Sequence, residues 1–225
     1  MDGGIGLRKI PKPALERLFI YYRLLLAADK NGEPVISSVE MGRRLDLDPA
    51  QIRKDLTYCG EFGKPRIGYR VERLKDELKR ILGLGEEKQA VLIGVGRLGM
   101  AIYSYPGFAN FGLEIAGLFD VDPTKVGLNL GKTTIRNISE LGQFIKEKRV
   151  PLGIMTVPAS EAQAVADTMV AAGICAIWNF APVTLKVPDN INVRNEDLAV
   201  GLATLSFQLL QSGCPYLQKD DSERD

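Results

Sequence analysis

The sequence predicts an α/β protein in which a winged helix-turn-helix domain of α+β type precedes a doubly wound parallel Rossmann sheet and a C-terminal helix. Three observations predict this fold. Helical patterns and a glycine-rich hairpin pattern fill the first third of the chain, short apolar strands alternate with helices after residue 85, and a Gly-x-Gly-x-x-Gly turn follows the first of these strands. The winged helix-turn-helix domain with its connecting helix is predicted over 1–84, and the Rossmann domain over 85–195. The C-terminal helix segment follows over 196–214, and a flexible tail over 215–225.

The composition is that of a soluble globular protein, and it excludes several enzyme classes. The chain has 225 residues, of which 45% are hydrophobic and 25% charged, so disorder and collagen-like repeats are excluded. It contains no histidine. A Ser-His-Asp or Cys-His triad is therefore impossible, as is a metal site that needs imidazole, and we expect no metal.

The expected location is cytoplasmic. The three cysteines are widely separated, no apolar run approaches the ~18 residues of a membrane span, and the first residues lack a signal-peptide pattern. Charge is uneven along the chain, because residues 1–85 hold 17 Lys+Arg and 12 Asp+Glu whereas the remainder holds 12 and 16. The basic first part indicates a polyanionic partner.

Helix signals in the first domain follow the order of a winged helix-turn-helix. One helix opens at Pro13, a Ser37–Glu40 capping box begins a second, and Asp48-Pro49 begins a third that runs to about Tyr58. A short hairpin is predicted over 63–71. In this motif the recognition helix, here the third, lies in the major groove of double-stranded DNA.

Candidate DNA-binding side chains lie on the third helix and on the hairpin. Those suited to base edges and phosphates are Gln51, Arg53 and Lys54 on the helix, and Lys64, Arg66 and Arg70 on the hairpin. The alternative is a small helical domain with ordinary solvated charges.

The second domain contains the most specific motif, Gly94-Val95-Gly96-Arg97-Leu98-Gly99. It follows a predicted strand, 89–94, and opens a predicted helix at Leu98. In a dinucleotide site the first glycine permits the tight turn, the second lets the backbone approach a pyrophosphate, and the third allows close helix–strand packing. The pyrophosphate would lie at the helix N-terminus. The alternative is a glycine-rich turn in a plain α/β domain.

Acidic residues end the next predicted strand, 114–119, at Asp120-Val121-Asp122. Asp120 lies 24 residues after Gly96. A carboxylate there accepts hydrogen bonds from a ribose 2′-hydroxyl and repels a 2′-phosphate, so the sequence favours NADH and NAD⁺ over their phosphorylated forms.

Further strands are predicted over 153–157, 175–180 and 191–193, with a helix over 159–172. The turns Thr156-Val157-Pro158 and Asn179-Phe180-Ala181-Pro182 end two of these strands, where they would line the nicotinamide side of a cofactor, or they are ordinary proline turns. Gly131-Lys132-Thr133 is not a phosphate loop, because only three residues separate Gly127 from Gly131.

No catalytic residue is predicted. Histidine is absent, and no tyrosine has a lysine four residues later. We therefore expect a cofactor that is sensed rather than turned over, the alternative being an NAD-dependent oxidoreductase whose N-terminal domain only dimerises. The helix over 197–211 is apolar on more than one side, which favours burial against a partner chain or within its own domain.

The whole set of motifs resembles the Rex family of bacterial redox-sensing transcriptional repressors. The residues that carry this resemblance are Ile52-Arg53-Lys54-Asp55-Leu56-Thr57-Tyr58, Gly60-Glu61-Phe62-Gly63, Gly68-Tyr69, the Gly94–Gly99 loop, Tyr105-Pro106-Gly107-Phe108, Phe119-Asp120-Val121-Asp122-Pro123, Thr156-Val157-Pro158, Asn179-Phe180-Ala181-Pro182 and Asn195-Glu196-Asp197-Leu198.

The resemblance implies a homodimer that exchanges its C-terminal helix, 196–214, between subunits. It implies that operator DNA is bound in the apo or NAD⁺ form and released when NADH binds. It adds Thr57, Tyr58 and Tyr69 to the DNA-binding residues. It also implies a polar switch relay of Arg17, Tyr105 and Asp197.

Overall fold

The computed structural model describes residues 10–60 and 67–212. The chain divides into two compact units, Met1–Glu87 with Asn110–Gly112 and Lys88–Ala109 with Leu113–Asp225. We call these the N-terminal unit and the C-terminal unit. Each has its own buried apolar cluster.

The N-terminal unit is a small helical domain with a two-stranded sheet. Its elements are α1 (Lys12–Lys30), β1 (Val35–Ile36), α2 (Ser38–Leu45), α3 (Pro49–Leu56), a 3₁₀ turn (Thr57–Cys59), β2 (Tyr69–Arg70) and α4 (Val71–Ile81). The core is formed by residues such as Leu18, Met41 and Ile52, each fully buried.

The predicted helix starts are confirmed, with one difference in detail. The Ser37 hydroxyl accepts a hydrogen bond from the Glu40 N–H at 3.0 Å, and the Asp48 carboxylate accepts one from the Ala50 N–H at 2.7 Å. The reciprocal half of the predicted capping box is not formed, because the Glu40 carboxylate accepts instead from arginines later in α2. The first turns of α2 and α3 are therefore stabilised by their cap residues.

The strand pairing differs from the hairpin predicted over 63–71. Strand β2 pairs antiparallel with β1, with Val35 opposite Arg70 and Ile36 opposite Tyr69. Residues 61–66 of the predicted hairpin lie outside the described residues. A two-residue strand such as β1 leaves no alternation in the sequence, which is why it was missed.

The C-terminal unit is built on a seven-stranded sheet. Its strands are β3 (Lys88–Ile93), β4 (Leu113–Asp120), β5 (Asn129–Leu130), β6 (Thr133–Asn137), β7 (Leu152–Met155), β8 (Ala176–Asn179) and β9 (Asn192–Asn195). Its α-helices are α5 (Arg97–Tyr103), α6 (Leu141–Lys148), α7 (Ala159–Ala172) and α8 (Leu198–Gln211).

The strand order is β5-β6-β4-β3-β7-β8-β9, and every pairing is parallel except that of β5 with β6. The chain therefore starts at the central strand β3, moves to one edge, and then returns to build the other side. This is the doubly wound Rossmann arrangement, so the predicted fold class is confirmed. Val91, Leu92 and Ile93 are all at most 1% exposed, as expected for a parallel strand covered on both faces.

The hairpin β5–β6 and helix α6 were not predicted. Gly131 lies in the turn of this hairpin with a φ of 57°, so Gly131-Lys132-Thr133 is a β-turn and not a phosphate loop. The rejection of that motif is confirmed.

Helix α8 follows the last strand and buries none of its residues. None of the helices in the described ranges, 10–60 and 67–212, is long and apolar enough to cross a membrane.

Candidate functional site

The glycine-rich turn joins the central strand β3 to α5 at the point where the strand order reverses. Gly94 has a φ of 91°, and a Cβ there would lie 2.8 Å from the Thr156 carbonyl oxygen. A Cβ on Gly99 would lie 2.2 Å from the Gly94 oxygen. A Cβ on Gly96 would meet nothing within 4 Å. Packing thus requires glycine at positions 94 and 99. Gly96 instead borders open space, which a ligand needs in order to approach the backbone closely.

A cleft of about 780 Å³ opens beside this turn. The predicted cofactor residues that line it are Gly94, Gly96, Asp120, Val121, Asp122, Thr156, Val157 and Pro158. These residues follow the carboxyl-terminal ends of β3, β4 and β7, where open α/β sheets bind their ligands. Thr156 connects two of the turns, because its hydroxyl donates to the Gly94 carbonyl oxygen at 2.6 Å.

Other lining residues were missed by sequence reasoning. They are Ile93, Lys125, Ile138, Glu161, Ala164, Val165 and Thr168. Three of them, Ile138, Ala164 and Val165, contribute an apolar wall that suits a flat aromatic base. No motif marks these positions, since they meet only when the helix folds over the sheet.

Asp120 is buried and already holds three hydrogen bonds. Its Oδ2 accepts from the Val95 N–H at 2.8 Å and from Lys125 Nζ at 3.0 Å, and its Oδ1 accepts from the Asp122 N–H at 2.9 Å. Burial opposes ionisation of Asp120, but these donors outweigh it, so the pKa of the carboxyl is lowered. A carboxylate offers about four acceptor positions. One acceptor position of Asp120 therefore has no donor within the described residues.

Lys125 places a cation beside both acidic residues of the β4 turn. Its Nζ lies 3.6 Å from Asp122 Oδ2 as well as 3.0 Å from Asp120 Oδ2. The Asp122 carboxylate also accepts hydrogen bonds from the Thr124 hydroxyl and N–H, which lower its pKa. The cleft therefore combines the buried carboxylate of Asp120, whose charge is balanced by Lys125, with the more exposed carboxylate of Asp122.

Replacing Asp120 tests which carboxylate excludes a 2′-phosphate. Asp120→Asn is expected to weaken NADH binding about tenfold, because the Val95 N–H loses a charged acceptor. It should also admit NADPH, because Lys125 keeps only the longer 3.6 Å pairing with Asp122 and can then pair with phosphate. Asp167→Asn on α7, outside the cleft, is the matched control and should change neither affinity. Fluorescence titration with each nucleotide measures both effects. Continued exclusion of NADPH would move discrimination to Asp122.

The remaining predicted cofactor residues do not line the cleft. They are Val95, Arg97, Leu98 and Gly99 of the first turn and Asn179, Phe180, Ala181 and Pro182 of the last. Asn179 is fully buried, and its side chain bonds to the Ala181 and Val183 backbone and to Asn195. In the described structure Asn179 therefore fastens the turn after β8 to β9.

An aromatic row lies in the C-terminal unit. The ring centroids of Phe180 and Trp178 are 4.6 Å apart, and that of Phe108 lies 5.9 Å from Trp178. The Tyr105 ring follows, with its centroid 5.1 Å from that of Phe108. Tyr105 ends the row and is 55% exposed.

The recognition helix α3 has one exposed face. Arg53, Lys54 and Thr57 are exposed, whereas Gln51 and Tyr58 are half-buried. The Arg53 guanidinium donates to the Ser38 hydroxyl at 3.0 Å, which ties α3 to the start of α2. The exposed face carries two cations and a hydroxyl that suit phosphates and base edges.

The predicted hairpin residues have different placements. Tyr69 belongs to the core of the N-terminal unit, and burial raises the pKa of its hydroxyl. Arg70 is exposed on β2. Lys64 and Arg66 lie outside the described residues. Of the predicted hairpin residues that the structure describes, Arg70 is therefore exposed and Tyr69 is not.

A buried carboxylate organises the contact between α1 and α3. Asp55 is 1% exposed, and its oxygens accept from Arg17 Nε at 2.6 Å, Arg17 Nη2 at 2.8 Å, the Tyr21 hydroxyl at 2.7 Å and Gln51 Nε2 at 2.8 Å. Burial opposes ionisation, but these four donors outweigh it and lower the pKa of Asp55. Burial is also the main reason that the pKa of Tyr21 is raised.

The three predicted relay residues each have a defined local setting. Arg17 forms the bidentate pair with Asp55. Asp197 caps α8, because its carboxylate accepts from the Ala199 and Val200 N–H groups at 2.9 and 3.3 Å. Tyr105 ends the aromatic row. The relay among them remains a prediction.

The two cysteines in the described ranges differ in exposure, and no metal site emerges there. Cys59 is buried at the end of the recognition-helix region, and burial raises the pKa of its thiol to about 12. Cys175 is exposed. No group of three or more Cys, Asp or Glu side chains in residues 10–60 and 67–212 could hold a metal ion.

Comparison with known proteins gives matches over both units. Family models described as "CoA binding domain" and "Putative DNA-binding protein N-terminus" match residues 85–183 and 9–57. The redox-sensing transcriptional repressor Rex of Desulforamulus reducens is 43% identical over 89% of this chain and 96% of its own. Rex of Chloroflexus aurantiacus is 44% identical over 88% of this chain and 94% of its own.

Solved structures agree with the sequence matches. The repressor RSP in complex with β-NAD⁺ and operator DNA is 36% identical, with a TM-score of 0.86 over 91% of this chain and 94% of its own. The same repressor in complex with β-NADH has a TM-score of 0.82 over 91% and 96%. The identity and coverage of these relatives establish that the chain belongs to the Rex family of redox-sensing transcriptional repressors.

Proposed function

We propose that this protein binds operator DNA as a homodimer and leaves it when NADH binds, so that transcription follows the cellular ratio of NADH to NAD⁺. One observation carries the proposal: a single chain holds both a dinucleotide cleft at the switch point of its sheet and an exposed basic recognition helix. Relatives that match about nine-tenths of the chain are named transcriptional repressors. Operator binding implies action in the cytoplasm.

On the DNA side, the proposed contacts come from the exposed face of α3. Arg53 and Lys54 supply charge for phosphates or guanine edges, and Thr57 supplies a hydroxyl. Lys64 and Arg66 are proposed to add phosphate or minor-groove contacts. Contacts of this kind make affinity fall with rising salt.

On the cofactor side, release requires that NADH bind the DNA-incompetent arrangement more tightly than the competent one. The reduced nicotinamide ring is uncharged, whereas the oxidised ring is cationic. A pocket that closes over the ring favours NADH, because burying an unpaired cation is costly. Phe180, predicted on the nicotinamide side, belongs to the aromatic row and would supply such apolar surface from outside the lining of the described cleft.

Helix α8 supports the homodimer. Its leucines at 198, 202, 205 and 209 are 68, 70, 54 and 42% exposed, and Phe207 is 59% exposed. Monomers rarely expose such a continuous apolar surface. Packing α8 against a second copy removes it from water, and sedimentation equilibrium of the full chain should give about twice the chain mass of 24.7 kDa. A monomer would contradict this proposal.

The function is tested by measuring DNA binding while each cofactor form is added separately. Duplexes enriched by the protein from a randomised pool serve as probes in a gel-shift titration. NADH should reduce the bound fraction, and NAD⁺ should leave it unchanged. The double variant R53A/K54A removes two exposed cations of α3 together with the Arg53–Ser38 hydrogen bond, and it should lose the duplex and keep NADH affinity.

Two results would overturn the proposal. One is the failure of any duplex to be enriched, and the other is a bound fraction that NADH leaves unaltered. Steady oxidation of NADH by a small carbonyl compound would favour the alternative, an NAD-dependent oxidoreductase.

A further inference from the structure

One peptide unit of the glycine-rich turn is held by two side chains. It joins Gly94 to Val95, directly after the central strand β3. Its carbonyl oxygen, that of Gly94, accepts a hydrogen bond from the Thr156 hydroxyl at 2.6 Å, and its N–H, that of Val95, donates to Asp120 Oδ2 at 2.8 Å. The oxygen and the N–H of a trans peptide point in opposite directions, so the two side chains hold it from opposite sides. We call this arrangement the peptide clamp.

The sheet topology places the two side chains of the clamp on either side of β3. Strands β4 and β7 are the two neighbours of β3 in the sheet. Asp120 is the last residue of β4, and Thr156 directly follows β7. The backbone holds the three strand ends together, because the Gly94 N–H donates to the Phe119 oxygen at 2.8 Å and the Thr156 N–H donates to the Ile93 oxygen at 2.9 Å.

The clamped peptide lies where the backbone would otherwise have unusual freedom. Gly94 precedes it with a φ of 91°, and Gly96 follows one residue beyond it. Glycine adopts positive and negative φ about equally well, so a peptide between two glycines can take several orientations at low cost. Rotation of this peptide redirects the amides that follow it, which are the groups that bind phosphate at the start of α5. Fixing the peptide before a ligand arrives removes an ordering cost from binding.

The Thr156 hydroxyl lies in a narrow space beneath the turn. Besides the Gly94 oxygen at 2.6 Å, it contacts the Ile93 oxygen at 3.1 Å. A Cβ on Gly99 would lie 2.9 Å from it. Valine has nearly the shape of threonine and no hydroxyl, so Thr156→Val fits the same space and removes the donor to the Gly94 oxygen.

We propose that Thr156 is a positioning residue for the pyrophosphate of the dinucleotide and acts through the Gly94–Val95 peptide, which it holds together with Asp120. This inference rests on the proposed function. The turn receives the pyrophosphate, which NADH and NAD⁺ share. Loss of the Thr156 hydroxyl therefore weakens both by the same factor and leaves the preference between them unchanged. A residue beside the nicotinamide would alter that preference.

The first test compares ligands that have and lack the pyrophosphate. In Thr156→Val, NADH, NAD⁺ and ADP-ribose, which has no nicotinamide, should each bind about tenfold more weakly. Adenosine, which has no phosphate, should bind the variant and the unaltered protein equally. Thr156→Ser keeps the hydroxyl and should restore most of the NADH affinity. Thr134→Val is the matched control, because the Thr134 hydroxyl also donates at 2.6 Å, to Asn129 outside the cleft.

The second test asks whether Thr156 and Asp120 act on the same peptide. Thr156→Val combined with Asp120→Asn should weaken ADP-ribose binding by clearly less than the product of the two single losses, because either substitution alone frees the peptide. Hydrogen exchange in the ligand-free protein measures the clamp directly. Thr156→Val should speed exchange of the Val95 amide and leave that of Leu92, buried within β3, unchanged. Circular dichroism and DNA binding establish that each variant is folded.

The outcomes separate this inference from the function on which it rests. If the unaltered protein binds NADH but stays on DNA, the proposed function fails and the affinities still decide the role of Thr156. If NADH releases DNA but Thr156→Val keeps full affinity for ADP-ribose, only the positioning role fails. An equal loss of adenosine would show that the whole cleft is distorted and would overturn the inference. Single losses that multiply in the double variant would overturn the shared peptide.

Discussion

Arg17→Met is expected to destabilise the N-terminal unit by about 3 kcal/mol, because it leaves the Asp55 carboxylate buried without its ionic partner. The pair joins α1 to the recognition helix through two hydrogen bonds, and Asp55 is 1% exposed. Methionine keeps most of the side-chain length. Hydrogen exchange of the α1 and α3 amides in the full-length protein measures this loss of stability directly.

The control for this variant is an arginine whose ion pair is exposed. Arg43 pairs with Glu40, and its side chain is 72% exposed. Arg43→Met should cost about 0–1 kcal/mol, as is usual for surface pairs. Equal effects of the two substitutions would contradict the role assigned to the buried pair.

The effect of Arg17→Met should also depend on pH. The folded-state pKa of Asp55 is lowered, so its pairing stabilises the protein above the ordinary pKa of aspartate and is lost as the pH falls through the lowered value. The difference in the free energy of unfolding between the unaltered protein and Arg17→Met should therefore be largest near neutral pH and become smaller in acid.

Gly99→Ala is expected to raise at least tenfold the NADH concentration needed for release from DNA, while leaving DNA binding in place. The added Cβ would lie 2.2 Å from the Gly94 oxygen and 2.9 Å from the Thr156 hydroxyl, so α5 must move away from the turn. Overpacking of this kind costs about 1–3 kcal/mol. NADH affinity should fall at least tenfold, which is 1.4 kcal/mol of binding free energy.

Gly142→Ala provides the matched control for the second prediction. Gly142 lies in α6, and a Cβ there meets nothing within 4 Å. Alanine should stabilise the unit by about 0.5–1 kcal/mol and leave NADH binding unchanged. The only tryptophan, Trp178, lies in β8 and reports on unfolding of the C-terminal unit. An unaltered NADH affinity in Gly99→Ala would show that the turn tolerates a side chain.

The sequence was sufficient for the fold class and for most element boundaries of the two units. Helix α7 begins and ends at the predicted residues, because its apolar spacing lies between a proline and a glycine. The starts of α2 and α3 were predictable because their cap residues act within three positions of the chain. Strands β1 and β5 have two residues each, which is too short for any periodic signal.

Side-chain partners were predicted less well than elements, because they depend on contacts distant in the chain. Asp120 was assigned to the ribose, yet it also binds the Val95 N–H, 25 residues away. Asn179 was expected beside the nicotinamide, yet it bonds to Asn195 across neighbouring strands. Tyr69 was expected at the DNA, yet it lies in a core assembled from α1, α3 and α4. In each case the residue type was informative and the packing decided its role.

The hydrogen bond between Asp120 and the Val95 N–H has a consequence for the evolution of this sensor. The same carboxylate lines the cofactor cleft and holds the glycine-rich turn in shape. A substitution of Asp120 therefore also removes a hydrogen-bond acceptor from the glycine-rich turn. Under the proposed role of Asp120 in selecting the dinucleotide, cofactor choice and the geometry of this turn depend on one side chain and change together.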